Sequence, residues 1–241
     1  MPSTPRWTAL LACAAAACSN SMAASMNPDA PGTGGDAASG DAAQGGPSAT
    51  ALLGAIAGCP TMAGGKFATD EGGTQNISIC ATTNGVALYW AADLDVDCDG
   101  KTTTQCNLQT DPAYQNQTSA TDSHGAPLDA ATLPYVVVPS TSTRFDFQAA
   151  GLDLGSVVAV IYQGHVQYGV IGDTGPTTII GEASYRMAQL LGIDPDPSTG
   201  GTDSGVSYIA FVGAAGQVNV IEDHAEAVTV GTARATALLG P

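Results

Sequence analysis

Two segments, Tyr168-Gly-Val-Ile-Gly-Asp173-Thr-Gly175 and Gly181-Glu182-Ala-Ser184, each present an acid directly after a glycine. Asp173 ends an apolar, strand-like run, and Glu182 stands where a helical pattern begins. Two carboxyl groups in different surroundings can hold different ionisation states. Hydrolysis of a glycosidic bond needs such a pair, one group to protonate the leaving oxygen and one to activate water or attack the sugar. Spacing alone does not separate this from a turn Asp and a helix-start Glu, because acids are favoured at helix N-termini in any case. A second acidic group lies in Asp93-Leu-Asp95-Val-Asp97-Cys-Asp99-Gly100. It can be read as carboxylates facing a cationic ligand, as a solvated strand whose charges block aggregation, or as the opening of a calcium loop. The calcium reading is weakened because Cys106 stands where the bidentate Glu belongs. The single Asp-Thr-Gly would make an aspartic protease only in a homodimer. His124, His165 and His224 are scattered, so no metal site and no cofactor is expected.

These acids must be positioned by strands. Gly85 to Asp97 reads as a strand that ends with Leu94 and Val96 on one face and Asp93, Asp95 and Asp97 in an outer acidic row. Residues 98–130 are polar and read as a long loop. Leu133 to Pro139, Ser156 to Gln163 and His165 to Ile171 follow as strands, the last two joined by a hairpin at Gly164. One helix is expected over Glu182 to Leu191, with Gly192 as its cap and Pro195 preventing continuation. Val206 to Gly213 and Gln217 to Ile221 read as further strands, and residues 223–241 carry no assignable pattern. Cys59, Cys80, Cys98 and Cys106 suit two disulfides, and of three pairings Cys59–Cys80 and Cys98–Cys106 are expected because each closes a local loop. A zinc site is the rival reading, without a close Cys-x-x-Cys pair or a nearby His to support it.

The chain has 241 residues and a formal net charge of −16, from 22 acidic and 6 basic residues. That balance disfavours binding to nucleic acid, favours a polycationic ligand, and also suits a secreted protein that must stay soluble. Residues 1–24 read as an export signal. Either Cys18 becomes a lipidated first residue that tethers the protein to a membrane, or an ordinary cut follows Ala23 or Ala24. Residues 25–50 are rich in Gly, Ala, Ser and Pro and read as a flexible linker, leaving 51–241 as one catalytic domain, expected to be a monomer.

Several segments together resemble the fungal and bacterial chitosanases of glycoside hydrolase family 75. They are Asp93-Leu-Asp-Val-Asp-Cys-Asp-Gly100, Leu133-Pro-Tyr-Val-Val-Val138, Val157-Val-Ala-Val160, Tyr168 to Gly175, Gly181-Glu-Ala-Ser184 with Ala188-Gln-Leu190, and Tyr208 to Gly213, in the family's order over 58–213. The resemblance implies Asp173 and Glu182 as catalytic carboxylates, chitosan as substrate, cleavage of internal β-1,4 bonds with inversion, and substrate contacts from Asp95 and Asp97. A more distant likeness to lytic transglycosylases on a double-psi barrel suggests the fold: mainly β, a small and disulfide-stapled β-barrel, the double-psi type being one form. Placed at a helix start, Glu182 would stay ionised and act as base, while burial behind Ile171 would suit Asp173 to act as acid. The alternatives are a peptidoglycan-lytic enzyme on a similar barrel and a non-catalytic, lipid-tethered polysaccharide-binding protein. The expected location is outside the cell, free or lipid-anchored at a bacterial surface.

Overall fold

The structure is a computed structural model that describes residues 46–240. The export signal, Cys18 and most of the linker expected over 25–50 lie outside the described residues. The first element is helix α1 (Ala49–Ile56), whose N-cap Ser48 accepts from Ala51 N and whose buried face is Ala49, Leu52 and Ile56.

Runs of β-branched and aromatic residues then build strands β1 (Cys80–Ala81), β2 (Ala87–Asp97), β3 (Tyr135–Pro139), β4 (Val157–Tyr162), β5 (His165–Gly175), β6 (Glu182–Ser184) and β7 (Thr202–Phe211). Their order is β1-β2-β6-β3-β5-β4-β7, and β7 pairs back onto β2, so six strands close into a barrel with β1 beside β2. The expected mainly β barrel is therefore present. Closure satisfies both edges of every long strand and leaves little backbone free to pair with another chain. Pairing is mixed: β2 with β6 and β3 with β5 are parallel, the other contacts antiparallel. Parallel neighbours need long crossovers, and that is what brings residues distant in sequence to one floor.

Alternate residues of the strands enter two apolar clusters. One gathers Trp90, Leu94, Val136, Val160, Ile171 and Tyr208 with helix α2 (Tyr185–Leu191). The other gathers Tyr135, Val157, Ala159, Tyr168 and Ile209 with α1 and helix α3 (His224–Leu239). Burial on both faces explains why these strands read as nearly continuous apolar runs.

Four expectations need correction. The helix begins at Tyr185 and not at Glu182: Ser184 is its N-cap, accepting from Met187 N, and Glu182 lies on β6. The strand ending in Asp173 is longer than its apolar run, because β5 continues through Gly175 paired to β3. Gln217 to Ile221 is no strand, since Asn219 N and Val220 N are taken by the Glu226 carboxylate and only Gln217 bridges Ser156. Asp93 does not belong to an exposed row; it is buried at a register shift between Ala92 and Leu94.

The segment after β2 is the expected loop and it returns to its own start: Gly100 bridges Asp129, and Lys101 N donates to Leu128 O at 2.8 Å. Cys98–Cys106 clips its beginning, and Cys59–Cys80 fastens the end of α1 to β1, so both expected disulfides are present.

Candidate active site

Four neighbouring strands, β2, β6, β3 and β5, present Asp95 and Asp97, Glu182, Val137, and Asp173 with Gly175 to one cleft of ≈ 520 Å³. Asp95 is in register with Glu182, and Val137 with Asp173. The cleft is also lined by Asp99 and Asp111, so among the described residues six carboxyl groups face it, and neither Lys nor Arg does. One side is closed by the 107–113 loop and the 194–201 turn, joined where Ser198 Oγ donates to Thr110 O. Past Asp173 and Thr174 the cleft continues into a recess of ≈ 300 Å³ bounded by Gln115, Gln117, Thr118 and Ser119.

Asp173 is held by one oxygen. Its Oδ1 accepts from Ser119 N at 2.8 Å, Ser119 Oγ at 2.7 Å and Thr174 N at 2.7 Å, while Ala120 N, the next donor along, is tied to Gly172 O. Among the described residues no donor is bound to Oδ2. Ser119 is a residue that the sequence did not single out, standing 54 positions from Asp173 in a loop without a recognisable motif.

Glu182 is half-buried, less so than Asp173, and among the described residues no hydrogen-bond donor is bound to its carboxyl. Its carboxyl packs over the α-carbon of Gly175, where an added Cβ would lie 2.7 Å from Oε2. Burial, with the charges of Asp95, Asp99 and Asp173 nearby, raises its pKa to about 7. A helix-start environment would have done the opposite, so the expectation of an ionised Glu182 does not survive its true position on β6.

The surrounding acids share this condition. Burial, aided by Asp95, lifts Asp93 to about 7, and burial lifts Asp99 to about 6 against the hydrogen bond from Gln115 N. Asp97 is held well above the usual carboxylate range, chiefly by desolvation and then by Asp99. Asp95 is raised too, by burial and by the charges of Asp70 and Asp203. Desolvation is the first cause of each of these shifts and the like charges add to it, so a cationic ligand would act against them and favour the ionised forms.

Behind Glu182 the backbone is fixed. Gly181 has φ +130°, and a Cβ there would collide with the Asp93 carboxyl. Tyr208 Oη donates to Asp93 O at 2.7 Å with Gly181 O 3.2 Å away, and Asp95 N donates to Gly181 O at 2.9 Å. Only glycine can thus bring β6 this close to the β2 irregularity. Of the residues named from sequence, Asp173, Glu182, Asp95 and Asp97 all meet in the cleft; Asp93 lies behind it.

A family model described as fungal chitosanase of glycosyl hydrolase group 75 matches residues 94–233. Endo-chitosanase B of Aspergillus oryzae is 39% identical over 129 residues, which is 50% of this chain and 54% of the relative. An endo-chitosanase from the same fungus is 35% identical over 133 residues, covering 51% and 54%. One from Aspergillus fumigatus is 36% identical over 104 residues, covering 41% and 44%. The chain spans about half the length of these relatives.

Proposed function

The chain belongs to the glycosyl hydrolase group 75 family, and on that premise we propose that it is an endo-acting chitosanase with Asp173 and Glu182 as its catalytic carboxylates. The observation that carries the reading is the cleft itself, where these two carboxyls share a floor with four further acids and no base. A polymer of glucosamine, bearing an ammonium group on each unit, is the complementary ligand, and Asp95 and Asp97 are the contacts nearest the centre.

The roles follow from the two environments. Glu182, which retains its proton to about pH 7, donates it to the glycosidic oxygen as the bond breaks. Asp173 keeps Oδ2 for water, orients it, and removes its proton as the water attacks the anomeric carbon from the opposite face. Asp173 and Gly175 lie two residues apart on β5, about 6.6 Å at the usual strand rise. The Glu182 carboxyl packs over Gly175, so both carboxyls face one cleft; inversion is part of the proposal and requires them to stand roughly 6.5 to 9.5 Å apart, with a water behind the sugar. Disulfides support an oxidising location outside the cell, reached through the N-terminal segment as an export signal with lipidation at Cys18 or ordinary cleavage. The catalytic unit is proposed to act as a monomer.

The test is product formation from soluble chitosan, chitin and peptidoglycan side by side, using the wild type, Asp173→Asn and Glu182→Gln. Chitosan alone should be shortened, and each amide should cost about a hundredfold to ten-thousandfold in turnover while chitosan still binds. Near-normal turnover in either folded variant would overturn the assignment, and greater release of peptidoglycan fragments would favour a cell-wall lytic enzyme.

A further inference from the structure

Beyond Gln115 and Gln117 the acidic cleft gives way to a groove of different chemistry. This groove, ≈ 560 Å³ in volume, is lined by residues 102–117 of the clipped loop and shares Gln115 and Gln117 with the recess at Asp173. Among the described residues no acid or base lines it. Its polar surface is made of Thr102, of Asn107, whose carboxamide is tied to Thr103 O and Thr104 O, and of the carboxamides of Gln109, Gln115, Asn116 and Gln117; these last four are exposed, and no other described residue engages their side chains. Its apolar surface is Leu108, 64% exposed, with the Tyr114 ring beneath. Tyr114 is locked in place, its Oη bonded to Gly100 O at 2.7 Å and to Thr102 Oγ1 at 2.7 Å.

We propose that this groove, which adjoins the acidic cleft at Gln115, is a binding site for an N-acetylated glucosamine unit. The inference rests on the chitosanase reading. An ammonium group carries donors only and seeks the acceptor-only carboxylates at the cleft centre. An acetamido group is neutral and carries one acceptor, one donor and a methyl. Free carboxamides provide both halves of that hydrogen-bond pair, and the exposed Leu108 covers the methyl. A glucosamine unit in the same groove would leave its solvation by water with no carboxylate to compensate. The change from charge to carboxamide along one continuous surface thus sorts the two kinds of unit by position, and the preferred substrate is a partly acetylated chain.

The experiment maps binding of the neutral N-acetylglucosamine disaccharide by backbone amide shifts, in the wild type and in the double variant Gln109→Glu/Asn116→Asp, whose positions are exposed. Shifts should centre on 107–117, and the variant should bind about threefold to tenfold more weakly, the scale of one or two lost hydrogen bonds. On partly acetylated chitosan, the turnover advantage over fully deacetylated chain should fall by a similar factor. Absence of binding, shifts centred on Asp95 to Asp99, or unchanged affinity in the variant would overturn the site. Binding at 107–117 by a protein that cuts neither polymer would instead sink the hydrolase reading and leave the groove standing.

Discussion

Ser119 and Thr174 engage Asp173 through one oxygen and leave the other to water, while the Glu182 carboxyl lies against Gly175 with no donor bound to it among the described residues. That asymmetry predicts the pH behaviour. If Glu182 is the acid, turnover on soluble glucosamine oligomers should fall with rising pH through about 7, about tenfold per unit above it, and a fall centred near 4.5 would contradict the role. Stability should move the same way. Carboxyls whose folded pKa is raised keep protons that the unfolded chain has already lost, so their contribution to stability is fully present below about 4 and is lost between roughly 4 and 7. Thermal unfolding should therefore occur several degrees lower at pH 8 than at pH 5, and Glu182→Gln should reduce the difference. A flat profile would show that the cleft is better hydrated than its geometry indicates. Nothing in sequence could reveal Ser119, because its pairing with Asp173 is created by a loop crossing a strand and has no local pattern. The glycine neighbours drew notice to the two acids, but only the family resemblance marked them as candidates for catalysis, and the part each would take depends on an environment that spacing does not encode.

At the level of elements, α3 lies on β5 where Gly231 meets the Tyr168 ring. An alanine at a helical glycine ordinarily gains about 1 kcal/mol, but here its methyl would enter space filled by a buried aromatic, and overpacking costs about 1–3 kcal/mol. Gly231→Ala should thus lower the melting temperature by a few degrees; a rise would mean that the ring moves freely. The same helix shows why part of the fold was hidden. Its buried stripe is Ala227, Gly231, Ala235 and Leu238, mostly small residues, so the contrast between faces that marks an amphipathic helix is faint. The long strands were readable because β-branched runs buried on both faces leave little alternative. Strand β6 was not, being three residues long and followed at once by the Ser184 cap, which placed genuine helix-start signals two residues beyond Glu182. Val218 and Val220 alternate like a strand, but Glu226 takes the backbone donors that a strand would need.

For the whole molecule, a charge of −16 and an unrelieved acidic cleft predict strong long-range attraction of a polycation. Raising ionic strength from about 0.01 M to 0.15 M shortens the screening length from about 30 Å to 8 Å, so the KM for chitosan should rise several-fold with turnover little changed. Asp95→Asn should weaken binding at low salt and flatten that dependence; equal salt sensitivity in both proteins would place the attraction elsewhere. The loop that starts at Cys98 has one more implication. Its ends meet, Gly100 against Asp129, and between them Ser119 and Ala120 bond to Asp173 and Gly172, so the loop is anchored both at its neck and on the strand that carries Asp173. Variation is confined to the stretch away from those anchors: exposed residues such as Leu108 and Gln109 can be exchanged while Ser119, Ala120 and the neck hold their places, so one part of the loop is free to diversify and the other is bound to the floor beneath it.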